Sequence, residues 1–231
     1  MTTSVALVDA DETQRRIRAV RAPQPVLDRE REEQLTLRQR QIIDELGAVF
    51  ADGFARFTMA ELAACLNCSL RTLYSLAPSR DELVLIVVDR SLWRIGRNAR
   101  TAIEPGMPPL DALRAYLASA MVAISGWTEA FARDLAAVPA ARVLSAGHDQ
   151  YLFEVTKTLL DLAVERGDVA PVDTAAISHV LAGLGSEFTR PEVYATLRSS
   201  PKDAADTVVG VVLRGLSATD HRPPTTRRRT P

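Results

Sequence analysis

Residues 58–83 constrain the fold of this chain more than any other stretch. Thr58 and Glu61 have the spacing of a capping box, which predicts that a helix begins between them. Ser69 offers a second N-cap and predicts another short helix, and Ser79 opens a third. Two short helices joined by a tight turn and followed by a third form a helix-turn-helix unit.

The same stretch resembles the DNA-binding motif of the TetR family of transcriptional regulators. The residues that match the family motif, without a gap, are Gly53, Phe54, Thr58, Leu62, Ala63, Ser69, Thr72, Leu73, Tyr74, Pro78, Ser79, Arg80, Glu82 and Leu83. The sequence departs from the motif at the turn, where Leu66-Asn67 replaces a small residue and glycine. It also has 75–77 in place of an aromatic pair, and Arg80 in place of lysine. The resemblance implies an all-α protein with an N-terminal helix-turn-helix head and a C-terminal helical bundle for dimerisation and ligand binding.

Composition fits an all-helical protein with a DNA-facing end. Hydrophobic residues make up 47% of the 231 and aromatic residues only 5%, which favours helices packed through aliphatic side chains. Residues 36–100 carry 9 basic and 7 acidic side chains, whereas residues 101–220 carry 9 and 15. A slightly positive front and an acidic rear suit a head that faces nucleic acid and a body that does not.

No segment is predicted to enter a membrane or a secretory pathway. The longest uncharged run, 115–128, is shorter than a membrane span, and residues 5–8 are too few for the apolar core of a signal peptide. Two cysteines cannot build a disulfide framework. We therefore expect a cytoplasmic protein.

The chain is predicted to contain four segments. Residues 1–34 form a mostly disordered extension that becomes helical near its end, and residues 35–79 form the helix-turn-helix domain. Residues 80–219 form the ligand-binding and dimerisation domain, and residues 220–231 a disordered basic tail. A breaker cluster at 104–109 separates the long helix after the head from the body helices. The body helices are predicted at 110–126, 127–137, 148–166, 174–188 and 202–217.

The second short helix carries the candidate DNA-reading residues. A helix in the major groove reads bases with its N-terminal residues. Arg71 could bind a guanine bidentately and Leu70 could touch a thymine methyl group. The resemblance adds contacts to the phosphate backbone, made by Thr58, Thr72, Tyr74 and Arg80. The alternatives are a solvated surface for the arginines and a half-buried packing role for Tyr74. The whole predicted set is Thr58, Ser69, Leu70, Arg71, Thr72, Tyr74 and Arg80.

The resemblance also implies a small ligand in the body, whose binding releases DNA. The candidate ligand-binding residues combine bulk with occasional polarity: Trp93, Tyr116, Met121, Trp127, Phe131, His148 and Tyr151. Because they carry so few charges, we expect an apolar or weakly polar organic ligand. Each of them could instead be an ordinary core residue, as could His179.

Switching and assembly follow from the same resemblance. The last two long helices are predicted to pair with those of a second copy in a four-helix interface. The two reading helices of such a homodimer would lie about 34–36 Å apart on a pseudo-palindromic operator. Ligand is expected to displace the long helix that begins at Arg80 and so to change this spacing.

Other residues with chemical potential have simpler interpretations. Cys65 and Cys68 could form a redox or metal switch across the turn, but zinc normally takes four ligands and no histidine is near in sequence. They are more simply small core residues. Four arginines in the N-terminal extension could reach a minor groove or could be solvated: Arg15, Arg16, Arg18 and Arg21.

No metal site, cofactor or catalytic motif is predicted, so an enzyme is not expected. The sequence predicts a TetR-like repressor. The alternatives are a helical ligand-binding or scaffolding protein that has lost DNA binding and, lacking any motif, an enzyme on a helical bundle.

Overall fold

The architecture is entirely helical. A computed structural model describes residues 12–124 and 128–217, and these residues form 12 helices and no strand. The all-α class predicted from the sequence is confirmed. The helices are α1 (12–19), α2 (Arg29–Gln34), α3 (Leu37–Phe50), α4 (Met59–Cys65), α5 (Leu70–Leu76), α6 (Arg80–Thr101), α7 (Pro109–Ile124), α8 (Glu129–Ala136), α9 (Pro139–Glu165), α10 (Thr174–Phe188), α11 (Pro191–Tyr194) and α12 (Pro201–Ser217).

The helix-turn-helix forms where the capping residues predict it. Thr58 and Glu61 exchange backbone and side-chain hydrogen bonds in a capping box at the start of α4. The hydroxyl of Ser69 accepts from the backbone N–H of Thr72 and caps α5. Between the two helices Asn67 has a φ of 47°, a left-handed conformation that asparagine tolerates better than most residues. The turn is therefore kept without the glycine of the family motif.

The hydrophobic residues form two clusters, and the long helix α6 takes part in both. The head core joins α3, α4, α5 and the first half of α6 to Phe131 and Leu135 of α8. The body core joins the second half of α6 to α7, α9, α10 and α12. The 22 residues of α6 span about 33 Å at 1.5 Å per residue. This helix, and with it α8, connects the head to the body.

Helix α9 is much longer than the 148–166 predicted. It begins at Pro139, which occupies the first turn, where its missing N–H costs nothing. The sequence between Pro139 and Gly147 is rich in alanine, a strong helix former, so the proline starts the helix instead of interrupting it. The short α11 was not predicted.

The N-terminal extension is more ordered than predicted over its described part, residues 12–34. Thr13 and Ile17 are four residues apart, and both are buried, with Ile17 in the body core. Arg16 bridges to Glu165 at the end of α9, which raises the pKa of the guanidinium. The prediction of disorder was wrong here because the two residues are too few to form an apolar stripe in the sequence, and they find a partner surface only in the tertiary structure. Residues 1–11 and the predicted basic tail 220–231 lie outside the described residues.

Candidate nucleic-acid interface and ligand cleft

Helix α5 presents one face to solvent and seals the other in the head core. Leu73 and Leu76 are 0% and 2% exposed, whereas Leu70 and Tyr74 are 42% and 53% exposed. Arg71 is exposed as well, and its side chain has no hydrogen-bond or ion-pair partner among the residues that the structure describes. We call Leu70, Arg71 and Tyr74 the reading face.

Hydroxyl groups border the reading face. The oxygens of Ser69 and Thr72 are 2.8 Å apart. Thr58, at the start of α4, donates its hydroxyl to Glu61 at 2.8 Å, and the backbone N–H of Thr58 holds the pKa of Glu61 below its ordinary value. Five of the seven predicted DNA-contacting residues therefore lie on α5 or at its N-cap, whereas Thr58 caps α4.

Arg80 is engaged within the protein. Its Nη1 donates to the carbonyl oxygens of Ala55 at 3.1 Å and Phe57 at 3.4 Å, and its other donors bind Asp81. The side chain thus ties the start of α6 to the loop before α4, and its charge is partly offset by Asp81.

The six predicted ligand-binding residues that the structure describes do not gather in one cavity. Tyr116, Met121 and Tyr151 are buried in the body core, where burial raises the pKa of Tyr116. Phe131 is buried in the head core, edge-on to Phe54. Trp127 lies outside the described residues.

Trp93 and His148 belong to a separate polar cluster. The His148 ring lies edge-on to Trp93, with centroids 5.9 Å apart. The buried Asp89 on α6 lies 3.1 Å from His148 Nε2 and accepts a hydrogen bond from the backbone N–H of Val26 at 2.8 Å. This cluster joins the N-terminal extension, α6 and α9. His179 stacks on Phe153 at 4.2 Å and is exposed.

A cleft of about 360 Å³ opens between α6, α8, α9 and the end of α10. None of the six predicted ligand-binding residues that the structure describes lines it. Its apolar wall comes from Leu92, Ala132, Leu135, Ala136, Ala141 and Ala146, and its polar groups from Arg142, Ser145, Asp149, Ser186, Thr189 and Arg190. We call this the main cleft. Sequence reasoning missed it because small side chains leave the space, in the alanine-rich stretch 132–146, and bulky ones do not line it.

The charges of the main cleft are unevenly compensated. Arg190 pairs with Glu187 at 3.1 Å, whereas the side chain of Arg142 has no partner within the described chain. Asp149 keeps contact with solvent, but the surrounding protein removes enough water to raise its pKa. Asp149 and Ser186 also border a smaller apolar annex of about 40 Å³, beside Met121.

Helix α8 forms one wall of the main cleft and also holds the head. A carboxylate oxygen of Asp134 accepts hydrogen bonds from the backbone N–H groups of Phe54 at 2.7 Å and Ala55 at 2.8 Å. Thr128, the N-cap of α8, donates its hydroxyl to the Ala51 carbonyl at 2.7 Å. We call these three bonds the α8 latch. Sequence reasoning missed the latch because its partners are about 80 residues apart.

Gly53 lets α8 approach this closely. Its φ is +94°, in keeping with its position at the end of α3. A Cβ at this position would lie 3.0 Å from an Asp134 oxygen and 3.2 Å from the Ala130 Cβ. A side chain there would push α8 away.

The metal and redox candidates of the sequence are Cys65 and Cys68. Across residues 12–124 and 128–217, no group of three His, Cys, Asp or Glu residues could hold a metal ion. Cys65 and Cys68 are free thiols, and burial raises the pKa of Cys68. Within the same ranges, no helix is long and apolar enough to cross a membrane.

Several solved structures share this arrangement of helices. PfmR from Thermus thermophilus, a TetR-family regulator, is 19% identical and matches with a TM-score of 0.56, covering 76% of this chain and 98% of its own. A tetR-family regulatory protein from Rhodococcus RHA1 is 21% identical, with a TM-score of 0.60 and coverage of 80% and 100%. AibR, in complex with isovaleryl coenzyme A and operator DNA, is 17% identical, with a TM-score of 0.56 and coverage of 75% and 97%.

No protein-family model matches the chain, and no curated protein matches it in sequence. The structural likeness establishes the arrangement of helices. The helix-turn-helix head, the linking helix and the helical body together give this chain the fold of the TetR-family transcriptional regulators.

Proposed function

We propose that the protein is a DNA-binding transcriptional regulator that reads its operator with α5. The observation that carries this proposal is the reading face, where Leu70, Arg71 and Tyr74 are exposed on a helix whose other side is anchored in the head core. A short, firmly held helix with a free arginine near its N-terminus suits the major groove. The fold shared with TetR-family regulators supports the same function.

We propose that Arg71 reads a base and that its neighbours hold the backbone. Tyr74 and one of the paired hydroxyls of Ser69 and Thr72 can donate to phosphate oxygens, and Thr58 can do so when its hydroxyl turns away from Glu61. Arg80 acts mainly by positioning, since its donors already bind Ala55, Phe57 and Asp81. The N-terminus of α6 beside it still favours an anion.

The experiment that tests DNA binding is selection of operator sequences from a random pool, followed by affinity measurements across salt. Specific binding should weaken steeply as salt rises. Arg71→Gln should weaken the free energy of operator binding by about 1–3 kcal/mol and relax the base preference at a single operator position. The matched control is Arg198→Gln, an exposed arginine outside the head. If Arg71→Gln selects the same operator sequence as wild type, Arg71 does not read a base.

We propose that the protein acts as a homodimer through α10 and α12. On the outer surface of α12, Val211 is 57% exposed. On α10, Val180 is 55% exposed, and a Cβ on Gly183 would meet no atom within 4 Å. Exposed valines beside open glycine positions would let the helices of a second copy approach closely.

We propose that the main cleft holds a small organic ligand that is mostly apolar and carries one polar group near Arg142 or Asp149. Its alanine-rich wall supports an apolar body, and the unpaired guanidinium of Arg142 supports a polar end. Of the seven ligand-binding residues predicted from sequence, Met121 borders the annex and is retained in this proposal.

Release would act through α8 as well as α6. Because α8 walls the main cleft and also forms the latch, a ligand that shifts it would disturb residues 51–55 of the head. We therefore propose that ligand displaces α8 together with α6. We also propose that the protein is a repressor and acts in the cytoplasm.

A ligand panel on the operator-bound protein tests release. Short-chain and medium-chain acids and their coenzyme A esters belong in the panel, with isovaleryl coenzyme A included because AibR is named with it. Ala136→Trp should fill the cleft. The proposal is supported if a ligand releases DNA from wild type but not from this variant. Ligand binding with no DNA binding at any salt would instead favour a helical ligand-binding protein that has lost its operator.

A further inference from the structure

A groove between α3 and α6 concentrates positive charge away from the reading face and the main cleft. It encloses about 450 Å³ and is lined on the α6 side by Arg90, Arg94 and Arg97. The α3 wall is built partly from the small residues Gly47 and Ala48. We call this the arginine groove.

The three arginines are spaced to share one helix face. Positions 90, 94 and 97 are separated by four and three residues, so their side chains are neighbours on α6. Like charges at these spacings destabilise a helix unless something opposes them. Three neighbouring guanidinium groups therefore attract a negatively charged group into the groove.

Only part of this charge is compensated inside the protein. Arg90 pairs with Glu32 of α2, and its Nη1 lies 3.9 Å from Asp44. The side chains of Arg94 and Arg97 have no hydrogen-bond or ion-pair partner within residues 12–124 and 128–217. Two uncompensated guanidinium groups thus face the same groove.

The opposite wall leaves room for a bound group. A Cβ on Gly47 would lie 4.0 Å from the nearest atom, Val87 Cγ1, so the groove is not closed by contacts at this point. The planar fork of a guanidinium matches two oxygens of a phosphate and binds it through charge-assisted hydrogen bonds.

We propose that the arginine groove binds a small molecule that carries a phosphate or diphosphate group, held by Arg94 and Arg97. Operator DNA does not suit this groove, because Arg94 lies 14 residues, or about 21 Å, along α6 from Arg80, where the DNA-facing end begins. The groove has one wall in the head and the other on the linking helix. Its occupant would therefore strengthen the packing of α3 on α6.

Titration calorimetry and thermal unfolding of the full chain with inorganic pyrophosphate test this proposal without DNA. Ionic strength is held constant with sodium chloride. Wild type should bind saturably and unfold at a higher temperature, and Arg94→Gln/Arg97→Gln should lose about 100-fold in affinity, roughly tenfold for each charge-assisted bond. The charge-matched control is Arg100→Gln/Arg198→Gln, whose exposed side chains lie outside the groove.

Ser91→Glu supplies a second test, since Ser91 also lines the groove. A carboxylate there should raise the unfolding temperature of the unliganded protein and abolish the response to pyrophosphate. The proposal is overturned if wild type gives no saturable heat. It is equally overturned if Arg94→Gln/Arg97→Gln binds as wild type does, or if the control loses as much affinity. Because no step requires an operator, failure here leaves the proposed DNA-binding function standing.

Discussion

The α8 latch gives the most direct quantitative prediction, through Asp134→Ala. The Asp134 side chain is 10% exposed and accepts two backbone hydrogen bonds at 2.7 and 2.8 Å. A hydrogen bond to a charged group contributes about 1.5–3 kcal/mol, and a buried donor left without a partner costs about 1–3 kcal/mol. The N–H of Phe54 would lose its partner in a buried place, since Phe54 is 1% exposed.

One carboxylate oxygen serves both donors, so the two contributions do not add in full. We expect Asp134→Ala to lower the free energy of unfolding by about 3 kcal/mol. Asp134→Asn keeps an acceptor oxygen but loses the charge, and should cost about 1–2 kcal/mol. Thr128→Val removes the donation to Ala51 and should cost about 1 kcal/mol.

Urea unfolding followed by circular dichroism measures these differences, with Asp111→Ala as control. Asp111 is exposed and pairs with Arg114 three residues away on the same helix, so its loss should stay within about 0.5 kcal/mol. Hydrogen exchange should also become faster at 54 and 55 in Asp134→Ala. If Asp134→Ala unfolds within about 0.5 kcal/mol of wild type, the latch does not hold the head and coupling through α8 is refuted.

Three further predictions concern the core, the main cleft and the dimer. The hydroxyl of Thr156 is buried without a partner among the described residues, so Thr156→Val should raise the free energy of unfolding by about 1 kcal/mol in urea titrations. Folding raises the pKa of Asp149, so its charge opposes folding at neutral pH. Asp149→Asn should therefore be more stable than wild type at pH 7 in urea titrations. This advantage should disappear as the pH falls from the raised pKa of the folded state to the lower pKa of the unfolded state. Val180→Arg with Val211→Arg should halve the mass measured by light scattering, and an unchanged dimer mass would place the interface elsewhere.

The sequence predicted the head well because its signals are local. A capping box such as Thr58–Glu61 involves residues three apart, and the cap at Ser69 contacts the next turn. Such contacts can be inferred from spacing alone. The reading face followed from the same register, since the period of α5 places Leu73 inward and Arg71 outward.

The main cleft was less predictable because a cavity depends on what distant helices leave empty. Tyr116 and Phe131 have the bulk expected of pocket walls, yet they fill the two cores. The main cleft exists where the alanines of α8 and α9 face the end of α10. Spacing along one helix does not reveal such a gap, since it results from side chains being small on several helices at once.

The position of α8 sets how strongly a ligand could act on the head. A ligand shifts a conformational equilibrium only by the difference between its affinities for the two states. If displacing α8 breaks the bonds of Asp134 to the head, a ligand in the main cleft must favour the displaced state by about 3 kcal/mol to offset that loss. This corresponds to more than a 100-fold preference. A ligand that contacts only Arg142 would bind both states equally and release nothing. A ligand that also pushes on Leu135, which lies in the head core and lines the cleft, would couple the two sites.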